Sequence, residues 1–176
     1  ILKGEVNMFH NIMVLQKQWY FIQVGPLDER AQSFPLPDSL MGRLVEYVVT
    51  HEIGHSIGFP HNFIAAAQGR SSVMDYPFPQ IDVDGQGRFD ISEAYREGGG
   101  WSDTLSVRYA YTWFPTPEAE AAGLAEIVQE AIDRGHVSMS DGAVSNSYPE
   151  VSRWVVGETM FESLDGALAV RREALR

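Results

Sequence analysis

The sequence predicts an α+β fold that contains more helix than strand. Apolar residues recur at helical spacing in several stretches; in one of them Leu40, Leu44 and Val48 follow each other at four-residue steps. Alternating, β-prone residues are confined to two short stretches, residues 1–9 and 81–91. With 176 residues, the chain is long enough for one domain with a buried core.

Composition and charge argue against two classes of function. The net charge is −11 and no basic stripe occurs, so we expect no nucleic-acid partner. No apolar run approaches the roughly 18 residues that a membrane-spanning helix needs. Cysteine is absent, which excludes disulfides and thiolate chemistry. Because the first residue is Ile1 rather than methionine, we expect the chain to be part of a longer protein, with any signal peptide upstream.

The first third of the chain is predicted to hold a strand followed by a helix. The strand covers residues 1–9. Asn11 is a suitable N-cap for a helix over residues 12–24, since the apolar residues fall on one face and a glycine and a proline follow. The aromatic and β-branched residues of 19–24 leave a second strand open as an alternative. Three prolines mark residues 25–37 as a loop.

A long helix is predicted over residues 39–57, with Asp38 or Ser39 as its N-cap. We expect it to end at Gly58, because glycine adopts left-handed backbone angles at no steric cost. Residues 62–80 are irregular. The elements that follow are a hairpin over 81–91 that turns at Asp84 and Gly85, a flexible joint at 98–100, a helix over 105–113 capped by Ser102 or Asp103, a helix over 118–134, a loop over 136–157 and a helix over 160–176.

One stretch within the long helix and its end reads H-E-x-x-H-x-x-G-x-x-H. Its fixed positions are His51, Glu52, His55, Gly58 and His61. On an α-helix, side chains four residues apart share a face and lie about 6 Å apart along the axis, so the first two histidines can bind one metal ion. A continued helix would carry the third histidine about 15 Å away, so the chain has to turn back at the glycine.

These residue types in this pattern indicate a catalytic metal site. Three histidine ligands leave one position of a tetrahedral zinc ion open for water, as in catalytic rather than structural sites. Glu52 directly follows a ligand and can take a proton from such a water without binding the metal. Imidazole also suits iron, cobalt and nickel, but one zinc ion is the cofactor that we predict.

The motif resembles that of the metzincin clan of zinc metallopeptidases. Residues 72–76, which read SVMDY, resemble the Met-turn of this clan. The resemblance implies that Met74 forms an apolar floor beneath the metal and that the Tyr76 hydroxyl helps to stabilise the oxyanion. It also implies a metzincin-like zincin catalytic domain with a small, partial sheet, whose active-site helix is the one over residues 39–57.

A wider resemblance covers nearly the whole chain. Residues 1–113 are similar to a group of large, little-characterised bacterial metallopeptidases in the segments KGEV, SVMDYP and DISEAY, and the segment RWVVGE resembles their downstream helical region. This implies a peptidase core at 1–113 without its upstream sheet, a helical C-terminal extension at 114–176 that packs on the core, and activity that needs the upstream polypeptide. It further implies export from the cell, to the periplasm or beyond, and an edge strand at 1–9 that pairs with an extended peptide.

Two points stay open at the level of sequence. Residues 82–93 nearly fit a calcium-binding loop, but Gln86 stands where an acid or asparagine is usual, so we prefer the hairpin. For the function, the sequence predicts a zinc-dependent endopeptidase that acts on peptides or proteins. The alternatives are a zinc-stabilised domain that binds a peptide or partner without cutting it, and a zinc hydrolase of a non-protein amide.

Overall fold

The computed structural model describes residues 3–76, 79–84, 86, 88–144, 148 and 150–175. Helices dominate this part of the chain, and its strands form one short pair. The elements are α1 (His10–Val24), α2 (Asp38–Ser56), β1 (Asp82–Val83), β2 (Phe89–Asp90), α3 (Trp101–Tyr111), α4 (Pro117–Asp133) and α5 (Met160–Ala174). The predicted class, mostly helical α+β, is confirmed.

Helix α2 carries the first half of the histidine motif. It begins at Asp38 and ends at Ser56, within one residue of the predicted bound at each end. The apolar residues at four-residue steps, Leu40 and Leu44 among them, are buried along one face. Gly58 has a φ of 101°, in the left-handed region that favours glycine, and this conformation ends the helix as predicted.

The main core lies where α1, α2 and the predicted Met-turn, residues 72–76, meet. Helix α1 packs against α2. The Tyr20 hydroxyl donates to Asp28 Oδ2 at 2.7 Å, which ties the loop after α1 back to that helix. Because the Met-turn supplies part of this core, it is fixed against the helix that carries the histidines. The core residues are Tyr20, Val24, Ala31, Leu36, Leu40, Leu44, Tyr47, Val73, Met74, Ala94 and Tyr95.

Asp103 joins the Met-turn to the start of α3. Its Oδ2 accepts hydrogen bonds from the backbone N–H groups of Val73 and Gly100, each at 2.7 Å. Its Oδ1 accepts a hydrogen bond from the Ser72 hydroxyl at 2.5 Å. Gly100 in turn packs directly on the backbone of Ser71, where an added Cβ would overlap the carbonyl oxygen. The turn is therefore held by side-chain and backbone contacts together.

Helix α3 begins at Trp101, four residues before the predicted start. The sequence predicts Ser102 or Asp103 as the N-cap, whereas both lie inside the helix and Gly100 is the N-cap. The reason is that Asp103 lies at the third position of the helix. From there its carboxylate accepts the N–H of Gly100, three residues earlier in the chain.

The two C-terminal helices each contact an earlier helix. Helix α4 contacts α3, and α5 contacts α1. The hydroxyls of Thr116 and Thr159 cap α4 and α5, each accepting a backbone N–H at 3.2 Å. In its described part the segment over residues 136–157 is irregular as predicted, apart from a 3-10 turn at Asp141–Ala143. No helix in the described residues combines the length and apolar character needed to cross a membrane.

The predictions for the N-terminus are partly wrong. Residues 3–9 are exposed and form no strand, which contradicts the strand expected over residues 1–9 in the described part. A strand needs a neighbour for its N–H and C=O groups, and the sheet of the described residues is the β1–β2 pair alone. Residues 19–24 lie in α1, so the alternative strand there is also wrong. Helix α1 begins at His10, with Asn11 inside its first turn rather than capping it.

The hairpin predicted over residues 81–91 is confirmed. β1 and β2 pair antiparallel. Gly85, one of the two predicted turn residues, lies outside the described residues. The register places Asp82 opposite Asp90 and Val83 opposite Phe89.

Candidate metal centre

Three histidine side chains meet at the C-terminal end of α2. The ring nitrogens of His51, His55 and His61 that could bind a metal lie within 4.8 Å of one another. His51 and His55 are one helical turn apart on α2. His61 is returned by the turn at Gly58, whose N–H donates to the His55 carbonyl oxygen at 3.0 Å. The three residues form a triad that could hold a metal ion, in the arrangement that the motif predicts.

The second ring nitrogen of each histidine, Nδ1, already has an oxygen partner. Because a carbonyl or carboxylate oxygen only accepts, each Nδ1 is the donor in its pair, which leaves Nε2 as the nitrogen available to a metal ion. Burial also lowers the pKa of His51, which keeps that imidazole neutral. The pairs are His51 with the Val73 carbonyl at 2.8 Å, His55 with the Phe59 carbonyl at 2.7 Å, and His61 with Asp141 Oδ2 at 2.8 Å.

The Nε2 atoms of His55 and His61 are spaced like two ligands of one zinc ion, at 3.2 Å from each other. Two nitrogens that bind a tetrahedral zinc at about 2.0–2.1 Å are about 3.3 Å apart, and three imidazoles with one open position are the ligand set of a catalytic zinc.

Met74 packs against α2 on the side of the histidines. Its side chain is buried. Its sulfur contacts the backbone at Gly54, between His51 and His55 in the chain, where an added Cβ would overlap it. The Met74 carbonyl oxygen accepts the N–H of Asn62, directly after His61, at 2.9 Å. The Met-turn thus contacts the chain on both sides of the histidine motif.

A cavity of about 380 Å³ opens onto the triad. Glu52 and Tyr76 line it together with the three histidines. Among the described residues, Glu52 has no hydrogen-bond or ion-pair partner, so its carboxylate is free to act on a molecule in the cavity. The Tyr76 ring stands edge-on to the His61 ring, with the ring centroids 4.9 Å apart.

Helix α1 forms another wall of this cavity. Its apolar residues Leu15 and Trp19 face inward, and Gln16 lies between them. Gln16 is 1% exposed, and its Oε1 has no hydrogen-bond partner in the described structure. An unpaired buried oxygen of this kind costs about 1–3 kcal/mol of stability.

Trp154, from the irregular C-terminal segment, closes the cavity between α1 and the Met-turn. Its ring centroid lies 4.4 Å from that of Tyr76 and 4.5 Å from that of Trp19. The contact with Trp19 is edge-to-face, a favourable arrangement for two aromatic rings. Three aromatic side chains from distant parts of the chain therefore border the histidines.

Comparison with known families identifies the class of protein. A family model described as Met-zincin matches residues 33–176, which include the histidine motif, the Met-turn and the segment that holds Asp141. The chain belongs to the Met-zincin family. This Met-zincin is a zinc metallopeptidase-like domain, and the metzincin resemblance is confirmed. Comparison with curated proteins and with solved structures gives no match.

Three residues at the Met-zincin site were not identified from the sequence. Asp141 lies 80 residues after His61, in a stretch rich in serine and glycine, so no local pattern marks it. The same holds for Trp154. Gln16 could have been found, because it stands four residues after Ile12 on the buried face of α1, where a polar residue is unusual.

The acidic residues of the hairpin bind the hairpin itself. Asp84 Oδ1 accepts the backbone N–H groups of Gln86 and Arg88 at 2.8 Å and 2.9 Å. Asp90 Oδ1 accepts the backbone N–H two residues further on at 2.9 Å. Among the described residues, the histidine triad is the group of side chains arranged to hold a metal ion.

Asp75 makes the stability of the Met-turn depend on pH. Burial raises its pKa to about 7. The N–H of Tyr76 donates to its Oδ1 at 2.7 Å and lowers the pKa, but this effect is smaller than that of burial. In the unfolded chain its pKa is about 3.9, so between about pH 4 and 7 the folded state binds the extra proton and stability falls as the pH rises. Asp75→Asn removes this dependence. We expect the difference in free energy of unfolding between the variant and the wild type, measured in urea, to change by about 3 kcal/mol in favour of the variant from pH 4.5 to pH 7.

The difference between the wild type and Asp75→Asn is controlled for the other titrating groups. Histidine protonation also changes stability in this range, but it affects the wild type and Asp75→Asn equally, so the difference between the two proteins reports Asp75. Parallel pH profiles for the two proteins would show that the Asp75 carboxylate is already ionised in the folded state.

Proposed function

We propose that this Met-zincin is a zinc-dependent endopeptidase that hydrolyses peptide bonds in peptides or proteins. One observation carries the proposal: the three histidine rings border one cavity together with the Glu52 carboxylate, which has no partner among the described residues. A structural zinc site has four protein ligands and no use for a free carboxylate beside them. Hydrolysis of an amide needs both a metal with an open position and a base.

The residues divide the reaction between them. Zinc, when held by His51, His55 and His61, lowers the pKa of water in the site to about 7 and polarises a carbonyl group. Glu52 takes a proton from the attacking water as the water oxygen forms its bond to the peptide carbonyl carbon. When the C–N bond breaks, Glu52 passes this proton to the leaving amine, which restores the carboxylate.

Tyr76 is proposed to donate a hydrogen bond from its hydroxyl to the oxyanion that forms during attack. Its place in the cavity and its edge-on position beside His61 support this role. Contacts with Phe63 and Trp154, at centroid distances of 4.9 Å and 4.4 Å, hold the ring. A fixed donor is worth more than a mobile one, because no reorganisation is needed when the charge develops.

Gly58 and Met74 are proposed as structural supports of the metal centre. Gly58 provides the left-handed residue that returns His61. Met74 provides an apolar contact for the helix backbone between the other two ligands. Neither side chain has a polar group for the chemistry itself, so both act through the position of the histidines.

The cavity supports a peptide as the substrate. Its α1 wall offers the apolar side chains of Leu15 and Trp19 for contact with a substrate side chain. Because residues 3–9 form no strand, the edge strand is not part of the proposed substrate contact.

We also propose that residues 1–113 form the peptidase core and residues 114–176 a helical extension packed on it. The contacts of α4 with α3 and of α5 with α1 support this division. Met139 hydrogen-bonds to Asn62 and Phe63, and Asp141 and Trp154 border the metal centre.

Metal analysis and a peptide-library cleavage assay test the proposed function together. We expect about one zinc ion per chain after gentle purification, and cleavage within peptides rather than at their ends. Removal of zinc by a chelator should abolish cleavage, and added zinc should restore it. Less than about half an equivalent of zinc would contradict the metal centre. Bound zinc without cleavage of any peptide would instead favour a binding domain.

A further inference from the structure

His61 is held differently from the other two ligands. His51 and His55 lie on α2, and their Nδ1 atoms donate to backbone carbonyl oxygens. His61 lies off the helix, beyond Gly58, and its Nδ1 donates to a carboxylate, Asp141 Oδ2, at 2.8 Å. An aspartate side chain is an anion at neutral pH, so His61 has a charged partner where the other two ligands have neutral ones.

The Asp141 carboxylate is fixed at its second oxygen as well. Arg153 Nη2 lies 3.1 Å from Asp141 Oδ1. The Arg153 guanidinium also lies over the rings of Phe63 and Tyr76, 5.3 Å and 5.9 Å from their centroids. Both carboxylate oxygens are therefore engaged, one by the histidine and one by an arginine that contacts the site's own aromatic residues.

The backbone next to Asp141 is anchored directly after the histidine motif. The Met139 N–H donates to Asn62 Oδ1 at 3.1 Å, and the Met139 carbonyl oxygen accepts the N–H of Phe63 at 2.9 Å. Met139 and Val144, which flank Asp141 in the chain, pack against the buried cluster that contains Phe63. Asp141 therefore lies beside His61 on a segment that is hydrogen-bonded to the residues directly after the histidine motif.

We propose that Asp141 is a positioning residue of the metal centre and that residues 139–144, which carry it, complete the site. A carboxylate on Nδ1 fixes the tautomer and orientation of His61 and raises the basicity of its Nε2, which strengthens metal binding. The coupling is reciprocal, since a segment that favours zinc binding is itself stabilised when zinc binds. The inference rests on the proposed zinc site, but it does not require peptide cleavage.

The test measures zinc affinity by competition with a chromophoric chelator. We expect Asp141→Ala to weaken zinc binding by about 10- to 100-fold, and Asp141→Asn, which keeps an acceptor but loses the charge, to weaken it less. Asp141→Glu should restore part of the loss. Asp165→Asn, on the exposed face of α5, is the matched control and should bind zinc like the wild type. The absorption bands of the cobalt-loaded protein should shift for the two Asp141 variants that lose the charge and not for the control.

Hydrogen exchange gives a second readout that holds even where a variant is less stable. In the wild type, removal of zinc should speed exchange at residues 139–144, and this response should be lost in Asp141→Ala. Equal zinc affinity for wild type, Asp141→Asn and Asp141→Ala would overturn this proposal alone. A wild-type chain that binds no zinc would overturn the zinc site as well.

Discussion

Glu52→Gln is expected to abolish peptide cleavage while zinc stays bound. Glutamine keeps the size of the side chain but cannot take a proton from water, and general acid–base catalysis contributes about 100- to 10,000-fold to such reactions. Glu52 is not one of the three nitrogen ligands, so the metal content should stay at about one ion per chain. The measurements are kcat/KM on a fluorogenic peptide that the wild type cleaves, and zinc content by atomic absorption.

The control lies on the same helix. Glu46→Gln changes an exposed carboxylate of α2 that lies outside the cavity, so kcat/KM should stay within about twofold of the wild type. Full activity of Glu52→Gln would refute Glu52 as the base. Loss of zinc from the variant would show instead that this carboxylate supports the metal centre.

Gly100→Ala is expected to cause the largest loss of stability among single-methyl changes. The added Cβ would overlap the Ser71 carbonyl oxygen, a backbone atom that no rotamer change can move away. Overpacking of this kind costs about 1–3 kcal/mol and sometimes more. The backbone has to separate where Asp103 holds the Met-turn, so the position of Val73, the partner of His51, is disturbed as well. Urea unfolding of the metal-free protein measures the loss, and zinc affinity should fall with it.

Gly42→Ala, which adds the same methyl group, is expected to increase the stability of the protein. Gly42 is exposed on α2, and an added Cβ there meets no atom within 4 Å. Alanine favours helix over glycine by about 0.5–1 kcal/mol, so this variant should be more stable than the wild type. Similar effects of the two substitutions would show that the close packing of Gly100 on Ser71 is absent in solution.

The helices were predictable from sequence because their signals are local. The bounds of α2 follow from the apolar repeat and from Gly58, and the structure moves them by one residue. The start of α3 was harder to predict, because Asp103 is of a residue type that is common at the N-cap. Its contact with the Gly100 N–H shows that it lies inside the helix instead. The strand expected at residues 1–9 failed because a β-prone composition does not provide a partner strand.

The site divides in the same way. His51, Glu52, His55 and His61 could be predicted because helical spacing and one glycine bring them together. Asp141 could not, since its approach depends on the docking of a segment 80 residues away.

The distance along the chain between His61 and Asp141 has a consequence for biosynthesis. At about 5–20 residues per second, Asp141 is made about 4–16 s after His61. During that interval the nascent chain holds three histidines and Glu52 but not the carboxylate that orients the last ligand. Early metal capture on the ribosome would then be weak, and tight loading would follow release of the C-terminal segment. The order of synthesis would thereby delay assembly of the proposed metal centre until Asp141 has been translated.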